Sequence, residues 1–232
     1  MTDTDPVTGD GGDVAGCPVD VAEERVRERI LLAALPHVAF EGWRTATLHA
    51  AYADTGLSVA EGELAFPGGA VEIIEYWSDW ADRQMLAAAD QPDFASLRMP
   101  DRIATLMRAR IEVNGRWREA VRRTMSFLAL PSNTGRALKC TWRTLNAIWY
   151  ACGDTATDLG FYSKRLSLAA VYAAVVLYWL DDSSEDFADT WAFLDRRIDT
   201  VMLVPKLRGR VRDTLADVLS PLRSRRPPVS SN

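Results

Sequence analysis

Few residues in this chain could do chemistry, and their spacing argues against most of it. His37 and His49 are its two histidines. Neither stands in an H-x-x-H, E-x-x-H or H-E-x-x-H pattern, so zinc and carboxylate di-iron sites of the usual kind are not expected. Asp181, Asp182, Glu185, Asp186 and Asp189 lie close enough in sequence to suggest a cation site. The plainer reading is a helix start capped by Ser183 or Ser184, with first-turn acids that suit the helix dipole. Gly153-Asp154-Thr155 lacks the glycine spacing and terminal lysine of a phosphate loop. There is no G-x-S-x-G nucleophile elbow. Cys152 has no base near it in sequence, and a buried inert thiol is its default reading. We therefore assign no catalytic residue, no metal ligand and no cofactor.

Aromatic side chains are the exception. Trp142, Trp149, Tyr150, Phe161, Tyr162, Tyr172, Tyr178, Trp179, Trp191 and Phe193 crowd into one stretch, and the run from Leu166 to Leu180 carries no charge. As a helix this run spans roughly 22 Å, too short for a bilayer, which needs about 20 apolar residues. A helix apolar on every side is buried, or it borders a cavity filled by something greasy. Trp142, Leu145, Ile148 and Trp149 share one helix face and can oppose Val171, Val175, Tyr178 and Trp179. With Leu168 and Tyr172 they form the candidate lining of a lipid site, although the same residues fit a solid core. Phe161 and Tyr162 are framed by Asp154, Thr155, Asp158, Lys164 and Arg165, the pattern of an interface hot spot with a polar rim.

The elements that must position these residues all read as helices. Apolar spacing starts near Val21 and puts Val26, Ile30, Leu31, Ala34, Leu35 and Val38 on one face. Gly42-Trp43 breaks the pattern. A helix then runs from Thr45 to about Asp54, Gly56 stops it, and Ser58 caps a short successor that ends at Pro67-Gly68-Gly69. A longer helix is predicted from Val71 to about Ala89. Further helices are expected over 101–113, 115–129, 133–152, 162–181, 185–203 and 206–219. The expectation is an all-α bundle of nine to ten helices. By region, residues 1–20 are an acidic tail and 21–90 a helix-turn-helix-like part. Residues 91–204 form a helical lipid-binding and dimerisation part, 205–226 a basic amphipathic helix, and 227–232 a loose end.

Charge decides how the helix-turn-helix rhythm is read. From Thr45 to Asp82 there is no Lys or Arg, while Asp54, Glu61, Glu63, Glu72, Glu75, Asp79 and Asp82 are present. Phosphate neutralisation supplies most non-specific DNA affinity, so this module is vestigial and no nucleic-acid partner is expected. Residues 206–226 are different. Seven bases against Asp213 and Asp217 make this segment basic in a chain of net charge −5. Leu207, Val211 and Leu215 recur at helical spacing among Arg208, Arg210 and Arg212, which suits contact with an anionic membrane surface. Three widely spaced cysteines point to free thiols in a reducing compartment. The acid-rich first twenty residues read as neither a transit peptide nor a secretory signal.

The loop Gly153, Asp154, Thr155, Thr157, Asp158 is followed by Phe161-Tyr162 and Lys164-Arg165. The later run Phe187, Asp189, Thr190, Trp191, Phe193, Leu194 completes a set that resembles the ubiquinone (coenzyme Q) biosynthesis accessory proteins, ninth in the coenzyme Q series. The resemblance is specific across about 130–203 and looser across 25–100. It implies a fold similar to TetR-type regulators, not used on DNA, and a homodimer. It also implies a hydrophobic pocket for isoprenoid lipids such as ubiquinone and its precursors. The implied role is to present demethoxyubiquinone-type substrates to a di-iron hydroxylase, docking through the aromatic-Tyr pair. Many members carry Trp where this chain has Phe161. Together with an alanine- and arginine-rich composition, the expected location is the bacterial cytoplasm, peripheral on the inner membrane.

Overall fold

The computed structural model describes residues 18–154 and 159–201 of the chain. Among them the structure is all-α, with nine α-helices, short 3-10 turns between some of them, and no strand. The helices are α1 (Pro18–Glu41), α2 (Thr45–Asp54), α3 (Val59–Ala65), α4 (Gly69–Leu86) and α5 (Met99–Glu112). They continue with α6 (Arg118–Leu128), α7 (Thr134–Ala151), α8 (Leu159–Asp181) and α9 (188–201). The chain divides into two compact units, one ending at Ile73 and the other beginning at Ile74.

In the first unit the stripe read from sequence is the core. Ile30, Leu31, Ala34, Leu35 and Val38 of α1 are fully buried, and α1 packs on α2 and α3. It runs through Pro36 without ending. α2 stops because Gly56 takes φ +75°, which lets Leu57 N–H reach the Tyr52 carbonyl at 3.0 Å and Gly56 N–H reach Ala53 O at 2.9 Å. Ser58 then opens α3 with a full capping box. Its Oγ accepts from Glu61 N–H while Glu61 accepts from Ser58 N–H at 2.8 Å.

The second unit is built on α5, α7 and α8, whose Ile103, Leu106, Met107, Leu145, Ile148, Val175 and Trp179 are buried together. Boundaries differ from the sequence reading in two instructive places. Residues 115–117 form a 3-10 turn before α6, and 185–187 form another before α9. The second has a clear cause. Asp186 and Phe187 take φ of 50° and 57°, a left-handed geometry that an α-helix cannot continue through. α8 also departs from the simple alternative of core or cavity wall. One face is buried through Leu168, Val171, Val175 and Trp179, while Leu166, Ala170, Ala173 and Leu177 are exposed. No helix among the described residues is long and apolar enough to cross a membrane.

Candidate ligand cavity

Within the second unit, five helices enclose a cavity of about 480 Å³, inside the ~300–1,000 Å³ range of small-molecule sites. α4 contributes Ile74, Trp77 and Ser78, and α5 contributes Arg110 and Ile111, with Asn114 just beyond it. The apolar face of α6 supplies Val121, Met125 and Leu128. α7 adds Ala137, Cys140, Thr141 and Thr144, and α8 adds Tyr172, Ala173, Val176 and Trp179. Ala129, Thr134 and Ala173 are exposed, whereas Arg110, Asn114, Thr144 and Trp179 are buried. The cavity therefore has a mouth on the first side and a closed end on the second.

Polar groups gather at the closed end. Asp82, 5% exposed, accepts from Arg110 Nε at 2.8 Å, Thr144 Oγ1 at 2.8 Å and Arg143 Nε at 3.3 Å. Arg110 Nη2 also points to the Ser78 carbonyl at 3.4 Å. Burial alone would lower the Arg110 pKa, but Tyr172 and Asp82 outweigh it and raise the value, so the guanidinium stays charged in the wall. Three lining residues hold buried polar atoms without a hydrogen-bond partner: Trp77 Nε1, Trp179 Nε1 and Asn114 Oδ1. Cys140 also lines the cavity, and burial raises its thiol pKa.

Of the ten residues read as lipid-binding, Tyr172 and Trp179 line this cavity. Leu145, Ile148, Trp149, Leu168, Val171 and Val175 lie in the packed core. Trp142 stacks on Tyr162 at 6.1 Å, and Tyr178 stacks on Phe193 at 4.7 Å. The sequence reading placed the lining between α7 and α8 alone and missed α4, α5 and α6. A signal for α5 existed. Arg110 and Asn114 continue the apolar spacing of Ile103, Met107 and Ile111, and polar side chains on such a face need an explanation.

The expected partner surface is divided as well. Tyr162 is 57% exposed, and with Trp142 it forms an aromatic pair at the surface. Arg165, expected on the rim, is instead fully buried. Its Nε donates to Asn146 Oδ1 at 2.5 Å and its Nη1 lies 3.8 Å from Asp154. Lys164 Nζ donates to Asp154 Oδ1 at 3.1 Å. Asp154, Lys164 and Arg165 thus fasten the end of α7 and the residues after it to the first turns of α8, with Asn146 of α7 as the fourth partner. Thr155, Asp158 and the Phe161 side chain lie outside the described residues, as do Leu207, Arg208, Arg210, Val211, Arg212 and Leu215 of the expected membrane contact.

The other chemical candidates resolve into structural roles. Both Asp182 oxygens are occupied: Ser184 N–H donates to Oδ1 at 2.7 Å and Thr190 N–H to Oδ2 at 2.9 Å. Asp181 pairs with Arg122 at 3.0 Å. Among the described residues no group of His, Cys, Asp and Glu is placed to hold a metal ion. Burial pushes the Cys152 thiol up to about 11, which leaves it protonated and unreactive at neutral pH.

Comparison with known proteins gives the site a context. Residues 134–205 match the COQ9 family. Human ubiquinone biosynthesis protein COQ9, mitochondrial, is 29% identical over 199 residues, covering 83% of this chain and 63% of that protein. The Drosophila melanogaster protein of the same name is 29% identical, covering 83% and 59%. The probable ubiquinone biosynthesis protein coq9 of Dictyostelium discoideum is 25% identical, covering 83% and 64%. The chain thus spans less than two thirds of the length of these relatives. Because the human, rat, bovine and fly relatives are named mitochondrial proteins, the expected bacterial, inner-membrane location is overturned. Among solved structures, a TetR transcriptional regulator from Nitrosomonas europaea aligns with a TM-score of 0.66 at 24% identity. It covers 77% of this chain and 99% of that one, a likeness of fold. Residues 134–205, which carry the α7 and α8 walls of the cavity and the Tyr162 surface, match the COQ9 family, and the chain shares the all-α fold of that TetR regulator.

Proposed function

We propose that this protein is a non-enzymatic accessory of ubiquinone biosynthesis. It holds a demethoxyubiquinone-type isoprenoid intermediate in the second-unit cavity and presents it to a di-iron hydroxylase. The observation that carries this reading is the cavity itself: about 480 Å³, with its α7 and α8 walls inside residues 134–205, the stretch that matches the COQ9 family. An apolar enclosure with a few converging polar groups is what an amphiphile requires. The names of the relatives supply the pathway.

Two surfaces serve the handover. Exposed Tyr162, stacked on the half-buried Trp142, is an aromatic anchor of the residue class that dominates interface energetics. Leu166, Ala170, Ala173 and Leu177 of α8 form an exposed apolar stripe, which a second copy of the chain covers in a homodimer. The basic segment 206–226 supplies attraction to an anionic membrane surface through its charge. A DNA-reading role is disfavoured by like-charge repulsion. α3, the element that would approach the groove, bears Glu61 and Glu63, and Thr45–Asp82 contains no Lys or Arg.

Tyr162→Ala tests the division of labour, since Tyr162 lies outside the cavity lining. The variant is expected to lose on the order of tenfold or more in affinity for the hydroxylase, as hot-spot truncation does. It is expected to bind a short-tailed quinone as the parent protein does. Unchanged hydroxylase affinity with intact folding would refute the docking role.

A further inference from the structure

We propose that the turn between α6 and α7 is a membrane-contact surface that seats the cavity mouth against the headgroups of an anionic lipid bilayer. It is separate from segment 206–226, and it rests on the lipid-carrier reading for the cargo that crosses there. Charge marks the region first. Between Glu119 and Asp154 the chain carries Arg122, Arg123, Arg136, Lys139 and Arg143 and no acid. Arg136 and Lys139, near the start of α7, share the one carboxylate of Glu75 at 3.2 and 3.0 Å. Their side chains remain 52% and 69% exposed, which leaves positive charge facing solvent.

Apolar side chains stand among these bases. Leu130 in the turn is 51% exposed and Leu138 of α7 is 67% exposed, and Pro131 beside Leu130 is exposed as well. Lone exposed leucines are ordinary. Two of them with a proline, set among bases, fit an interface in which apolar insertion and attraction to anionic lipid act together. The turn is also held in shape. Buried Asn133 donates from Nδ2 to the Phe127 carbonyl at 2.9 Å and from its N–H to Leu130 O at 2.9 Å. A surface fixed in this way loses little conformational freedom on contact. Its position gives the contact a purpose. Leu128, Ala129, Thr134 and Ala137 line the cavity on either side of the turn, while Leu130 and Leu138 do not. An amphiphile leaving a bilayer at this point enters the cavity without crossing open water. A protein partner suits the patch less, because interface hot spots are rich in Trp, Tyr and Arg and poor in Leu.

The test uses the full-length protein and vesicles of phosphatidylcholine, alone or mixed equally with phosphatidylglycerol. Ser132→Cys, made together with Cys17→Ser, places an environment-sensitive fluorophore on the turn; Cys140 and Cys152 are buried and stay unlabelled. Emission is expected to shift to the blue on mixed vesicles and to shift less on phosphatidylcholine alone. In flotation, Leu130→Gln with Leu138→Gln is expected to weaken binding to mixed vesicles about tenfold. Arg136→Gln with Lys139→Gln is expected to weaken it about as much at low salt, with little effect on phosphatidylcholine alone. Neither pair lines the cavity, so both variants are expected to bind a short-tailed quinone in solution as the parent protein does. Thermal midpoints identify a variant that fails to fold, and the fluorophore then decides alone. A fluorophore that ignores both kinds of vesicle would overturn the membrane contact and leave the carrier reading standing. So would equal flotation of the parent protein and both folded variants. A shift that follows protein concentration instead of lipid would overturn it too, and would assign the turn to contact between copies. A parent protein whose turn meets vesicles but which binds no quinone would overturn the carrier reading alone.

Discussion

Four donors converge on the carboxylate of Asp182: the N–H and Oγ of Ser184 and the N–H and Oγ1 of Thr190. Burial works to raise its pKa, but the hydrogen bonds from Thr190 and Ser184 outweigh it and hold the carboxyl well below the usual range. The sign of the pH effect follows. A group whose folded pKa is depressed contributes stability above its ordinary value, and that contribution is lost as pH falls toward the folded one. Asp182→Ala is expected to lower the thermal midpoint at pH 7. The gap from the parent protein narrows as pH drops below about 4, the ordinary carboxylate value. A gap that stays constant down to pH 2 would mean the ionised carboxylate is not its source. Sequence showed an acid beside serines at this point and suggested a capped helix start. It could not show that Asp182 takes both ends of the turn, because the positive φ of Asp186 and Phe187 leaves no mark in residue type. Arg165 teaches the same lesson from another side. A base next to an aromatic pair reads as a rim residue, yet its burial is fixed by Asn146 and Asp154, which sequence spacing alone does not bring together.

Local stop and start signals made the helices of the first unit legible. Gly56, Ser58 with Glu61, and the apolar spacing of α1 each act within a few residues, so a linear reading can find them. α3 adds a constraint that depends on tertiary packing. A Cβ at Gly62 would stand 2.3 Å from the Tyr52 ring, which is 1% exposed and has no room to retreat. Gly62→Ala should therefore destabilise the fold by about 1–3 kcal/mol through overpacking, against a helix-propensity gain of about 1 kcal/mol. Denaturant unfolding measures the difference, and a net stabilisation would show that α3 packs more loosely on α2 than this contact requires. α8 marks the limit of the linear reading. The charge-free run from Leu166 to Leu180 announced apolar surroundings on every side. Periodicity could not divide that surface into a core face, a cavity face and the exposed stripe through Leu166 and Leu177.

Across the whole molecule, the fold class and the family resemblance were readable because both rest on many residues at once. The cavity was not. It exists where side chains from five helices fail to fill the space between them, and no single element carries that information. The aromatic richness pointed to α7 and α8, which form part of the cavity wall. However, most of the bulky residues named for the lining close the core, while Trp77, Arg110 and Asn114 bound the space. The central claim is that this space holds an isoprenoid quinone or its precursor, and one measurement addresses it most directly. The purified full-length protein is examined by native mass spectrometry, then extracted with organic solvent so that its lipids can be identified. The expected result is a polyprenylated quinone or precursor bound near one per subunit. A protein that arrives lipid-free, and stays empty when offered quinones, would contradict the claim and leave the Tyr162 surface of an interaction scaffold.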